Sequence, residues 1–122
     1  MSVVVRGDAP PGHRTWLVHL RPTRPDWPAA RTDAEAAALA EHFAQLERLT
    51  AAGECVIAGP RLDGSLGVAV YDGIDLDRMR ALLAEDAMVV AGFFTAEVSA
   101  MRLSLERSHE PGGAAQRGEV SS

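Results

Sequence analysis

Apolar positions along the chain change period several times, and each change marks an element. From Arg14 to Leu20, Trp16, Val18 and Leu20 alternate with Leu17 and His19, the period of two expected of a strand. Arg21 to Arg31 holds Pro22, Pro25 and Pro28 and reads as extended loop. A Pro-free run follows, from Thr32 or Asp33, a good N-cap with Glu35 in the first turn, to Ala52, and it stops at Gly53. This predicts a helix. Two short apolar runs, Glu54 to Gly59 and Gly67 to Tyr71, flank Arg61-Leu62-Asp63-Gly64-Ser65, and an Asp-Gly step between apolar runs signals a β-hairpin. Asp75 caps a second helix whose Leu76, Met79, Leu82 and Leu83 share one face. After Glu85 and Asp86 a short turn through Met88 and Val90 leads past Gly92 into a last strand from about Phe93 to Leu103.

The resulting order, βαββαβ, is the ferredoxin-like split βαβ unit: an α+β fold with an antiparallel four-stranded sheet and both helices on one face. Residues 14–105 form this single domain. Residues 1–13, with Pro10, Pro11 and two Gly, read as a flexible N-terminus, and residues 106–122, with Pro111 and three Gly, as a disordered C-terminal tail. The face of the sheet away from the helices would expose Leu17, Val68 or Val70 and Met101, so a homodimer packed sheet to sheet is expected.

Composition narrows the function classes. With 122 residues there is one core, and a net charge of −5 argues against nucleic acid as a partner, since that needs a concentrated basic face. All 12 basic residues are Arg. Cys55 is the lone cysteine, so no internal disulfide forms and a cytoplasmic protein is expected. Val3 to Val5 is too short for a signal-peptide core, and no apolar run approaches a membrane span.

Candidate chemistry starts in the first helix. At about 100° per residue, Leu39, Phe43, Leu46 and Leu49 make an apolar stripe, and His42 falls between Leu46 and Leu49, pointing inward. A buried imidazole needs partners for both nitrogens: either a backbone carbonyl satisfies it in a packed core, or a carboxylate does. Asp86 is the candidate carboxylate, and its competing role is to N-cap the turn at Ala87 and Met88. Two helices on one sheet face can bring the two together, which would fix the imidazole tautomer and make the ring a better base. Arg21, Arg24 and Trp27 could meet an anionic aromatic ligand or simply form a solvated, proline-shaped loop. Gly59 and Pro60 end a strand and could wall a pocket. His19 and Glu97 would meet if the first and last strands are neighbours. Cys55 has no basic neighbour in sequence and reads as an inert thiol. Metal-ligand spacings and phosphate-cradling glycine loops are missing, so no metal or cofactor is expected.

Glu41-His42-Phe43 to Leu49, Gly53, Ala58-Gly59-Pro60, Glu85-Asp86 and Ala91-Gly92 to Phe94 together resemble the YciI-like (YCII-related) proteins over about residues 14–105. The loop Leu20 to Trp27 also looks like a branch of that family. The resemblance implies a dimeric α+β barrel with a catalytic dyad at His42 and Asp86. Gly59, Pro60, Arg24, Trp27 and Phe94 are the expected substrate-binding residues beside it. Characterised relatives of this kind include a dehydrochlorinase of a chlorinated hydroxyhydroquinone and, more distantly, muconolactone isomerase. The expected function is a cofactor-independent lyase or isomerase that abstracts a proton from a small cyclic or aromatic metabolite. Alternatives are a non-catalytic small-molecule binding or dimeric interaction module, and a cofactor-free oxygenase or haem-binding barrel. Ala87 stands where many relatives have Pro, which puts the aim of the Asp86 side chain in question.

Overall fold

The computed structural model of the chain describes residues 2–107. Its elements are β1 (Val3–Arg6), β2 (Thr15–Pro22), α1 (Asp33–Ala51), β3 (Cys55–Pro60), β4 (Gly67–Asp72), α2 (Leu76–Glu85), α3 (Ala87–Val90) and β5 (Phe94–Ala100). The strands form one sheet in the order β1-β5-β2-β4-β3. β5, β2, β4 and β3 are antiparallel neighbours in the ferredoxin-like order.

The expected four-stranded antiparallel sheet is corrected by β1, which runs parallel to β5 and makes the sheet five-stranded and mixed. β1 comes from the segment that its flanking Pro and Gly marked as a loose terminus. Val3 and Val5 lie against the core while Val4 and Arg6 face the other way, the alternation a half-buried strand requires. Arg6 also pairs with Glu97 of β5. Of the residues expected to form a C-terminal tail, 108–122 lie outside the described residues.

α1 begins with a full capping box. The Thr32 hydroxyl accepts from the Glu35 amide at 3.1 Å, and the Glu35 carboxylate accepts from the Thr32 amide at 2.9 Å. The helix ends in a Schellman arrangement: Gly53, at φ 82°, donates to the Thr50 carbonyl, and Glu54 donates to Leu49. α2 is N-capped by Asp75, whose side chain accepts from the Arg78 amide. Trp16, Val18 and Leu20 of β2 and Val98 of β5 pack under Met79, Leu82, Leu83, Met88 and Val89 to form the core. The Trp16 indole N–H donates to the Ile74 carbonyl at 2.9 Å, so this large side chain is buried with its polar atom satisfied.

One expectation about α1 changes. Leu49 is buried, but Leu39 and Leu46 are only half-buried and Phe43 is 47% exposed. The apolar stripe does not close on the sheet along its length; it stands off and lines an open cavity. Across the sheet, β3 is an edge strand with a register shift between Cys55 and Ile57, and its residues beyond Cys55 are exposed. Among the described residues no helix is long and apolar enough to cross a membrane.

Candidate active site

The cavity has a volume of about 970 Å³ and lies between α1 and the helix-facing side of the sheet. α1 contributes Leu39, His42, Phe43 and Leu46, and the sheet contributes Val18, Leu20, Ala69 and Tyr71. Ile57 to Pro60 form the wall along the edge strand, and Trp27, Pro28 and Arg31 of the proline-rich loop form another. Leu83, Asp86 and Phe94 complete the inner end. The surroundings are mostly apolar, so the few polar groups aimed inward define what the cavity can do.

The central pair is His42 and Asp86, with His42 Nδ1 2.6 Å from Asp86 Oδ2 and both side chains buried. α2 stops at Glu85 because Asp86 adopts an extended backbone, φ −63° and ψ 126°, and starts α3 as its N-cap. Its Oδ1 accepts from the amides of Met88 at 2.9 Å and Val89 at 3.4 Å, which leaves Oδ2 for the imidazole. The two roles considered for Asp86 therefore coexist in one carboxylate. An ionised carboxylate only accepts hydrogen bonds, so Nδ1 carries the proton and donates it. Nε2 on the far side of the ring is then an acceptor, and no hydrogen-bond partner reaches it among the described residues. Phe94 meets the ring edge-on at a centroid distance of 5.9 Å and Phe43 lies tilted at 5.4 Å, fixing the plane of the imidazole.

Gly59, Pro60, Trp27 and Phe94 line the same cavity as His42 and Asp86. Arg24 does not. Its guanidinium forms a bidentate pair with Glu35, at 2.8 and 3.0 Å, and a further bond to Asp26 at 2.8 Å. Arg24 holds the Glu35 carboxyl down to about 2, helped by the Thr32 amide. The loop's cavity-lining cation is instead Arg31, whose guanidinium carbon sits 5.3 Å from the centre of the Trp27 ring. Arg24 approaches the same ring at 5.4 Å. Sequence spacing did not separate the two arginines. What distinguishes them is Glu35, which the capping box holds close to Arg24.

His19 and Glu97 are cross-strand partners, with Nδ1 3.8 Å from Oε1, on the sheet face opposite the cavity. Arg6 shares Glu97 and lowers its carboxyl below the ordinary range. Cys55 is buried, its thiol lies 3.6 Å from the Ile57 carbonyl, and burial raises it. Among the described residues no group of three or more His, Cys, Asp or Glu is placed to hold a metal ion.

Comparison with known proteins adds two findings. The family model described as the YCII-related domain matches residues 16–102. Among solved structures, the 5-chloro-2-hydroxyhydroquinone dehydrochlorinase of Burkholderia phenoliruptrix, in complex with 2,5-dihydroxybenzoquinone, is similar at a TM-score of 0.52 and 20% identity. That match covers 79% of this chain and 96% of the dehydrochlorinase. No curated protein matches by sequence.

Proposed function

From this chain's membership of the YCII-related family, we propose that it is a lyase or isomerase that needs no cofactor and uses His42 as a general base on a small cyclic or aromatic substrate. The observation that carries this is the buried 2.6 Å contact between His42 Nδ1 and Asp86 on the wall of a cavity of about 970 Å³, large enough to admit a ring compound. Nε2 takes a proton from an acidic carbon or hydroxyl of the substrate. The electron pair left behind either forms a double bond as a leaving group departs or shifts along a conjugated ring and is reprotonated elsewhere. Asp86 stabilises the imidazolium formed meanwhile and keeps the ring in its tautomer. The dehydrochlorinase with a similar fold acts on a chlorinated hydroxyhydroquinone, which supports an oxygenated ring as the substrate class.

The proposal includes a homodimer. Leu17 and Val4 keep exposed surface on the face of the sheet that no helix covers, and a second copy would bury it; Val70, opposite Leu17, is already buried.

Turnover of chlorinated hydroquinones, followed as chloride release, and of unsaturated lactones, followed by ultraviolet absorbance, tests the chemistry. His42→Ala is expected to fold with an unchanged circular dichroism spectrum and to lose about 100- to 10,000-fold in rate. Equal activity in His42→Ala and wild type would remove the base from the mechanism. Ring binding without turnover in either protein would favour the non-catalytic binding module.

A further inference from the structure

Two buried polar atoms on the cavity wall lack a partner among the described residues: Nε2 of His42 and the hydroxyl of Tyr71. Arg31 and Glu47, also on the cavity wall, are exposed, and two further polar groups there have partners. Asp86 is taken by His42, Met88 and Val89, and the Thr50 hydroxyl donates to Leu46. Tyr71 is 4% exposed and lies on β4 opposite Trp16 of β2 and Cys55 of β3, on the side of the sheet that faces the helices. A buried tyrosine normally finds a partner for its hydroxyl, because leaving it desolvated and unpaired costs free energy. Among the described residues no side chain or backbone group forms a hydrogen bond with the Tyr71 hydroxyl, although it lies on the wall of the cavity.

We propose that Tyr71 is a substrate-binding residue, whose hydroxyl donates a hydrogen bond to an oxygen of the ring held beneath His42. This rests on the reading of the cavity as a site for a small oxygenated ring and adds a contact that selects the oxygen. Burial and the negative charge of Asp86 both raise the Tyr71 phenol, so it stays protonated and donates. The arrangement places the two functions on different layers of the fold. The helix wall supplies the base, and the sheet wall supplies the donor that holds the substrate oxygen and steadies negative charge developing there. A hydrocarbon ring of the same size would leave the hydroxyl unpaired and be rejected for that reason.

The test is binding of phenol, hydroquinone and toluene, measured by calorimetry and thermal shift, to wild type and to Tyr71→Phe, which removes only the hydroxyl. Wild type is expected to prefer the two oxygenated rings. Tyr71→Phe should bind them about five- to tenfold more weakly, the usual worth of one neutral hydrogen bond, with toluene unchanged or tighter. Without ligand, Tyr71→Phe is expected to melt at or above the wild-type temperature. Unchanged affinity for phenol in Tyr71→Phe would overturn the inference while leaving His42 as base intact. A melting temperature lowered by several degrees without ligand would also overturn it, by showing that the hydroxyl has a structural partner. If no ring binds wild type, the ring-binding reading itself fails and this contact fails with it.

Discussion

Asp86→Asn changes one atom, yet it should separate the two roles of this side chain. An asparagine oxygen can still accept from the Met88 and Val89 amides, so the start of α3 survives. Its NH2 group, however, would face the Nδ1–H of His42 donor to donor, and the imidazole would switch tautomer and protonate Nε2. The expected outcome is a folded protein that has lost about 100- to 10,000-fold in rate, with the tautomer read from the imidazole nitrogen shifts in NMR. Asp86→Ala removes the cap as well and strands the imidazole, so urea denaturation should show a loss of about 2–4 kcal/mol. A loss near zero would mean that the contact contributes nothing to the fold. The inward direction of His42 was legible in the helical rotation of α1. Its partner was a matter of inference, because 44 residues separate the two and the packing of α3 beside α1 joins them. Arg24 and Arg31 show where residue type alone stops: both are arginines of one loop, and a glutamate held by an N-cap decides which of them is already spent.

At the scale of elements, the first turn of α1 is tied to the proline-rich loop through Glu35, which accepts from Thr32 and from Arg24 together. The folded state lowers the Glu35 carboxyl from 4.5 to about 2, so its stabilising contribution is complete above pH 4.5 and disappears as pH falls toward 2. Glu54 beside Arg78 and Glu97 beside Arg6 are lowered in the same direction. The part due to Glu35 is therefore isolated by Glu35→Gln, which should flatten the acid limb of the stability curve between pH 4.5 and 2; an unchanged limb would discount the Arg24 pair. The hairpin between β3 and β4 turns at Gly64, with φ 74°, and a Cβ there would stand 2.9 Å from Cδ of Pro28. Gly64→Ala should cost about 1–2 kcal/mol for the left-handed backbone alone, measured by urea denaturation. The same substitution should disturb the contact between the turn and the cavity loop. Capping residues and the Asp-Gly turn made α1 and this hairpin readable in sequence. β1 was not, since three valines between a polar start and a Pro-Gly segment become a strand only when β5 offers its edge.

For the whole molecule, period-two and helical patterns were enough to reach the ferredoxin-like core, because burial on one face imposes those periods directly. They could not show that the stripe on α1 stands away from the sheet. Phe43 and Leu46 have the spacing of core residues, and apolar side chains look the same in sequence whether they meet other side chains or an empty cavity. On the uncovered sheet face, Leu17 opposes Val70 and Ser99 on its neighbouring strands. If the proposed dimer forms there, Leu17→Asp should halve the mass found by light scattering and leave the circular dichroism spectrum intact; an unchanged mass would place any self-association elsewhere.

The cavity wall formed by Ile57, Ala58, Gly59 and Pro60 belongs to β3, one of the two edge strands, which has a neighbour on one side only. Its outward row of amide and carbonyl groups is unclaimed by the sheet. The outline of the pocket is therefore the part of the molecule most easily redrawn by whatever comes to lie alongside that border. The imidazole and carboxylate, anchored to helices across the gap, keep their mutual geometry regardless. The His42–Asp86 pair and the strand that shapes this side of the cavity thus belong to separate pieces of chain.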